Sequence, residues 1–383
     1  VHKEELKDWL ARGRVGAIAI DTNVFDEEGQ NIHDGNLPLL RQVEQAGKRL
    51  LVPDVIAREM ESHLREKFGQ EKAFDSKVLK HLKKFAADEV VSAVARAIHE
   101  HDRDAKKALD AFFANVTATV IQASDYTSLE SVMDRYFASE PPFEPGGKKK
   151  AEFPDAIALL SLEGWANKND TKVLCVTKDG DWERYSNQSD RLLITPELED
   201  VLAALVLVRG EKLPDRVRAA AAIWLESEAA KEKIEASIQF HLDDHSPFVD
   251  ADSYCGFNDE VVELYPKRGS LAIDAANVAV LSADHSDAVI SVSVDFVAKG
   301  RFSFDFFVPD SIDKDDVPVG HAYATSETEV RADLSIGLYL EDFAADETQV
   351  LSADDVTEIT VKMSGLHFDV GTIGPDYSND APD

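Results

Sequence analysis

Four short strand-like runs punctuate the first 210 residues: Ala17-Ile18-Ala19-Ile20, Arg49-Leu50-Leu51-Val52, Lys172 to Thr177, and Leu192-Leu193-Ile194. Unbroken apolar runs of this length read as strands buried on both faces, as in parallel sheets. Helical patterns lie between them, which predicts a βαβ architecture, a parallel sheet flanked by helices. Open sheets of this kind bind ligands at the carboxyl ends of their strands. Asp21 stands at such an end, where Asp21-Thr22-Asn23-Val24 leaves the first run. A lone acid there is equally well explained as a helix N-cap.

Asn36 to Ala46 reads as a helix, and Pro53 closes the second strand. Asp54 then reads as the N-cap of a helix carrying Val55, Glu59 and Leu64. Residues 60–138 hold no proline and one glycine and are mostly helical in pattern, so a long helical insertion on one side of the sheet is expected. A proline- and glycine-rich break spans Pro141 to Gly147, followed by Lys148-Lys149-Lys150. Pro154 opens the next helix, and Thr195-Pro196-Glu197 opens the helix over Leu198 to Val208.

Residues 211–240 read as one charged, alanine-rich connecting helix. Beyond them the period changes to two, through Ala288 to Phe307, Val330 to Leu340 and Val356 to Val370. This alternation marks half-exposed antiparallel strands. The domain reading is therefore α/β over 1–210, a connecting helix over 211–240, and an acidic, β-rich domain over 241–383.

Charge divides along the same line. Of the net −32, residues 241–383 contribute 30 acidic and 7 basic side chains, and residues 1–240 contribute 43 and 34. The first segment can thus carry local basic surface although the whole chain is strongly acidic. No apolar stretch approaches the roughly 20 residues that span a bilayer. Val1 to Leu10 lacks a signal-peptide core. The two cysteines, Cys175 and Cys255, have no metal-ligand spacing, and cytoplasmic residence is the expectation.

Three later acids stand at junctions like that of Asp21. Glu59 lies on the helix after the second strand, and Asp155 in the first turn opened by Pro154. Asp179 and Asp181 lie in Thr177-Lys178-Asp179-Gly180-Asp181-Trp182. In a parallel sheet these junctions share one edge, so the acids can converge. Clustered carboxylates repel one another unless a cation is present. Oxygen-only ligands suit Mg²⁺ or Mn²⁺, and one or two such ions can activate water against a phosphodiester.

In this order the motifs Ile-Asp-Thr-Asn, a helix-borne Glu after Val-Pro, Phe-Pro-Asp-Ala and Thr-Lys-Asp-Gly-Asp-Trp resemble those of PIN-domain nucleases. The similarity covers about residues 14–208 and is to the PIN-like group with a long helical insertion. It implies a FEN-like α/β fold and metal-dependent phosphodiester cleavage, usually of RNA. By that resemblance Asp21, Glu59, Asp155 and Asp179 are catalytic metal ligands, and Asp181 is an additional or alternate one. Asn23 and Thr177 match supporting polar positions. Glu61, two residues from Glu59, is a competing register.

A nuclease site rich in acids needs positive charge nearby for phosphate. Lys148, Lys149 and Lys150 precede Asp155, and Lys72, Lys77, Lys80, Lys83, Lys84 and His81 stud the helical insertion. Both sets could instead be solvated surface, and neither reads bases. His241 and His245 would share a face if helical, but the Asp-rich context and Pro247 suggest a turn.

The leading reading is a Mg²⁺- or Mn²⁺-dependent RNA endonuclease, acting through a metal-activated water, as a toxin, defence effector or RNA-processing enzyme. The alternatives are a catalytically silent PIN-like RNA-binding or scaffolding protein, and a DNA-directed nuclease. Aspartyl-phosphate chemistry is disfavoured because its second acid would fall at Asn23. The acidic domain either binds a protein partner, restrains the nuclease by covering its lysines, or only solubilises the chain. Homodimerisation is a further expectation from the family.

Overall fold

The computed structural model describes residues 3–86, 88–100, 104–143, 152–209, 213–284, 286–309, 316–340, 351–363 and 365–376. Lys148, Lys149 and Lys150 lie outside the described residues. The chain divides into two compact units, Val1–Glu211 and Lys212–Asp383.

In the first unit the elements run α1 (Lys3–Ala11), β1 (Val15–Ile20), α2 (Thr22–Glu27), α3 (Gln42–Gln45), β2 (Arg49–Pro53), α4 (Asp54–Leu82), α5 (Asp88–Glu100), α6 (Ala105–Asn115) and β3 (Ala118–Ile121). They continue with α7 (Leu129–Ala138), α8 (Phe153–Lys168), β4 (Lys172–Val176), α9 (Gly180–Ser186), β5 (Leu192–Thr195) and α10 (Leu198–Arg209). The five strands form a parallel sheet in the order β3-β2-β1-β4-β5. The mixed α/β fold with a parallel sheet is the one expected.

From central β1 the chain goes to β2 and β3 on one side, then returns to β4 and β5 on the other. The carboxyl ends of β1 and β4 therefore flank the topological switch point, where such sheets leave a crevice. β1 is buried along almost its whole length, which explains its unbroken apolar run.

Two local readings change. Residues 36–46 form a 3₁₀ turn over Leu37–Arg41 and the four-residue α3 instead of one helix. Pro53, not Asp54, holds the N-cap position of α4, and the Asp54 carboxylate accepts the Ala123 N–H at 3.1 Å. The insertion is mostly helical as expected, and the addition to that reading is β3, an edge strand on β2. Its residues, Ala-Thr-Val-Ile, are half exposed and too few to show a period.

α4 runs 29 residues, but its fully buried side chains, Ile56, Met60 and Leu64, all lie in the first half. Beyond them it exposes Phe74, along with Lys72, Lys77, Lys80 and His81. α8 is buried on most sides. A Cβ on its Gly164 would lie 2.2 Å from the Tyr126 carbonyl oxygen, so close packing there requires glycine.

In the second unit, residues 211–240 do not form one connecting helix. α11 (Leu213–Leu225) and α12 (Glu228–Asp243) belong to this unit. They precede β6 (Phe248–Asp252), β7 (Gly256–Pro266), β8 (Ala272–Ile273), β9 (Ala279–Ala283), β10 (Asp287–Pro309), β11 (Asp316–Tyr339), β12 (Val356–Met363) and β13 (His367–Thr372). β10 and β11 pair antiparallel along their full lengths and bury Phe302, Phe304 and Phe306. β7, β8 and β9 pair with β10, β12 with β11, and β13 with β6 in parallel.

α12 is anchored in this unit by Lys233 Nζ, which donates to the Ala353 and Val356 carbonyls at 2.6 and 3.1 Å. The helix continues through His241 to Asp243, so the expected turn begins later. The His241 and His245 rings lie 6.0 Å apart. Among the described residues, no helix is long and apolar enough to cross a membrane.

Candidate metal centre

Asp21 is the N-cap of α2, and its Oδ1 accepts the Thr22 N–H at 2.6 Å. Cap and ligand were rival explanations for this residue, yet the second oxygen does different work. Ile20 is in register with Val176, which brings Asp21 beside Thr177, and Thr177 Oγ1 donates to Asp21 Oδ2 at 2.7 Å. The same Thr177 oxygen accepts Asn23 Nδ2 at 3.1 Å and the Asp179 N–H at 3.0 Å. One hydroxyl thus ties the β1 exit to the β4 exit.

Glu59 reaches this junction from α4, where Thr22 Oγ1 donates to its Oε2 at 3.0 Å. Glu61 instead pairs with Arg65, an exposed contact one turn along the same helix. The two glutamates, ambiguous in the sequence, are separated by the rotation of α4 that buries Ile56, Met60 and Leu64. Asp155 lies in the first turn of α8, and Trp182 Nε1 donates to its Oδ1 at 2.9 Å. Asp179 caps α9, accepting the Asp181 N–H on Oδ1 at 2.6 Å.

The electrostatics tie these four acids together. Burial pushes the Asp21 carboxyl up to about 6, against the lowering effect of its Thr177 and Thr22 hydrogen bonds, and the charges of Asp179 and Glu59 raise it further. Burial likewise pushes Asp155 up to about 6, opposed by the Trp182 bond and assisted by Asp21, Asp179 and Glu59. Asp181 exerts no comparable effect on either. Its carboxylate pairs with Arg184 on its own helix, while its backbone N–H donates to Asp179. Lys178, the cation adjacent in sequence, is held by Glu27 at 3.1 Å and Glu197 at 3.3 Å.

Among the described residues, no three Asp, Glu, His or Cys side chains are arranged as a ready-made cation cage. The cluster's carboxylates are instead turned onto protein donors: Thr22, Thr177, Trp182 and the Asp181 amide. The donor set still fits a hard divalent cation. Every candidate ligand atom is oxygen, the carboxylates raise one another's affinity for positive charge, and Asn23 Oδ1 is buried without a hydrogen-bond partner. Two participants are not marked by the sequence. Thr22 stands inside the Asp21-Thr22-Asn23-Val24 motif with nothing to single it out, and Trp182 carries one usable signal, an indole N–H that needs an acceptor when buried.

A parallel five-stranded sheet flanked by helices, with acids gathered where β1 and β4 leave it, is a PIN-like α/β fold. Residues 18–182 match the family model described as PIN domain, which supports a PIN-domain family for this part of the chain. No curated protein and no solved structure matches the chain. The matched span contains Asp21, Glu59, Asp155, Asp179 and Asp181. PIN domains are a nuclease fold whose members generally use divalent metal.

Proposed function

We propose that the protein is a Mg²⁺- or Mn²⁺-dependent nuclease, and that its substrate is RNA. The observation that carries this reading is the convergence of Asp21, Glu59, Asp155 and Asp179 at the switch point, where burial, with a smaller part from mutual repulsion, raises two carboxyls to about 6. Asp21 and Asp179, joined through Thr177, and Asp155 and Glu59 would hold one or two divalent ions. Bound there, the metal supplies positive charge that activates water and offsets charge on the leaving oxygen.

The chain's own residues position this set. Thr177 and Thr22 fix both Asp21 oxygens, Trp182 fixes one Asp155 oxygen, and Asn23 keeps an oxygen available beside them. Endonucleolytic cutting suits a crevice at a sheet edge. In this reading Lys148, Lys149 and Lys150 contact substrate phosphate, and the acidic C-terminal unit binds a basic protein partner or restrains cutting.

The direct test incubates the full chain with labelled single-stranded RNA or DNA and Mn²⁺, Mg²⁺ or EDTA. RNA cleavage that needs the metal and is lost in Asp21→Asn is expected. Cleavage that survives EDTA, or an unimpaired Asp21→Asn variant, overturns the mechanism. Preferential DNA cutting overturns the choice of substrate.

A further inference from the structure

A cavity of about 490 Å³ lies along β5, the edge strand of the parallel sheet. Thr177 and Asp179 form part of its wall, so it adjoins the acid cluster. The opposite wall is Trp9 of α1 with Leu193, Ile194 and Pro196, and α9 covers the remaining side. Sites for small organic ligands span roughly 300–1,000 Å³, so a base with its sugar fits here.

The charges on these walls do not suit phosphate. Lys178 is already held by Glu27 and Glu197, while Asp179 and Glu183 are both carboxylates. The walls suit instead the flat, uncharged part of a nucleotide. Half-buried Trp9 brings an indole to the apolar edge of β5, and any base can stack on such a ring.

The polar side chains divide into engaged and free. Ser189 Oγ donates to Glu163, Ser186 Oγ donates to the Glu183 carbonyl at 2.9 Å, and Thr177 serves the acid cluster. Among the described residues, the side chains of Glu183 and Asn187 have no protein partner. The Asn187 N–H donates to the Glu183 carbonyl at 3.1 Å, so the two residues stand one helical turn apart on the same face. An ionised Glu can only accept, at two oxygens, whereas an Asn amide also donates. Guanine is the base whose pairing edge sets two adjacent N–H donors beside a carbonyl acceptor.

We infer that this cavity is a nucleobase site that takes guanine beside the phosphate held at the cation. Trp9 stacks on the ring, Glu183 accepts from its two donors, and Asn187 donates to its carbonyl oxygen. The assignment rests on the nuclease reading for the position of the phosphate. It adds a base preference, which contacts to phosphate do not supply.

The first arm of the test needs neither metal nor phosphate. The full chain in EDTA is titrated with guanosine, adenosine, cytidine or uridine, and saturation-transfer NMR reads binding. Guanosine is expected to bind about tenfold more tightly than the others, the discrimination of one good bidentate pair. Glu183→Gln is expected to remove that preference, and Trp9→Ala to weaken binding of all four nucleosides. Should Trp9→Ala fail to fold, Trp9→Leu keeps apolar bulk without the ring and should show the same loss. Equal binding of the four nucleosides, or a guanosine preference that survives Glu183→Gln, overturns the inference. The second arm adds Mn²⁺ to an oligouridine carrying one guanosine, and cutting beside that guanosine is expected. If guanosine is bound selectively but no RNA is cut, the cavity stands and the nuclease reading falls. Cutting with no guanosine preference in either arm leaves the nuclease and removes the base site.

Discussion

Thr177 donates to Asp21 across a sequence separation of 156 residues, at 2.7 Å, and the same oxygen receives Asn23 and the Asp179 amide. The carboxylate and the hydroxyl are neighbours because β1 and β4 are adjacent and parallel. Thr177 also opposes the burial that raises Asp21. Thr177→Val should therefore push the Asp21 carboxyl further up and move the acid limb of the cleavage profile to higher pH. A pH series of kcat/KM with Mn²⁺ checks this, and an unmoved limb contradicts it.

The free energy of the metal-free protein should depend on the same protons. Asp21 and Asp155 sit at about 6 in the folded chain, above the ordinary 3.8. Between those values the folded state binds protons more tightly than the unfolded state. The resulting stabilisation is fully present below about pH 4 and is lost as pH rises through about 6, on the order of 3 kcal/mol for each carboxyl. Thermal midpoints in EDTA should thus rise from pH 7 to pH 5, and Asp155→Asn should flatten the trend.

Divalent cations should oppose the repulsion directly. At pH 7, Mn²⁺ at about a hundred times its dissociation constant should stabilise the native chain by about 2.7 kcal/mol. Protons compete for the same oxygens, so the shift should shrink at pH 5. Calorimetry on Asp155→Asn should show little of it at either pH.

Two acids at the start of α9 should behave differently. Asp179 acts on Asp21 and Asp155, while Asp181 is engaged by Arg184. Asp179→Ala should lower cleavage about hundredfold, and Asp181→Ala by no more than about threefold. Equal losses in a single-turnover assay would return Asp181 to the ligand set.

Packing makes a prediction independent of chemistry. Gly164→Ala would place a methyl 2.2 Å from the Tyr126 carbonyl oxygen, inside a buried helix. A loss of about 1–3 kcal/mol is expected in urea unfolding. A native midpoint would show that α8 and the Tyr126 turn can separate without penalty.

The sequence reveals those parts of the fold whose physics is local. β1 and β4 are buried on both faces, so their apolar runs are unbroken and announce a parallel sheet. β3 stays hidden because a four-residue, half-exposed edge strand carries no periodic signal. The junction acids can be read from strand ends and helix starts. Their ranking cannot, because it depends on rotation: Glu59 faces Thr22 and Glu61 faces Arg65 by virtue of the α4 stripe. That Asp181 pairs with Arg184, three residues on, is likewise not legible in the sequence, because Arg184 reads as a solvated cation until the helix closes the pair. The helices α11 and α12 were read as one linker because their alanines suit either a free helix or one packed against a sheet.

The sheet order has a consequence for when the acid set comes into being. Central β1 is made early, yet its neighbour β4 is contributed more than 150 residues later, with Thr177 and Asp179 at its end. During synthesis, Asp21 emerges long before the hydroxyl that orients it. A ribosome-bound chain stopped within α8 would expose an open strand edge and an incomplete acid cluster. The last central strand to dock is thus also the one that assembles the acids, so an unfinished chain holds no complete copy of the cluster.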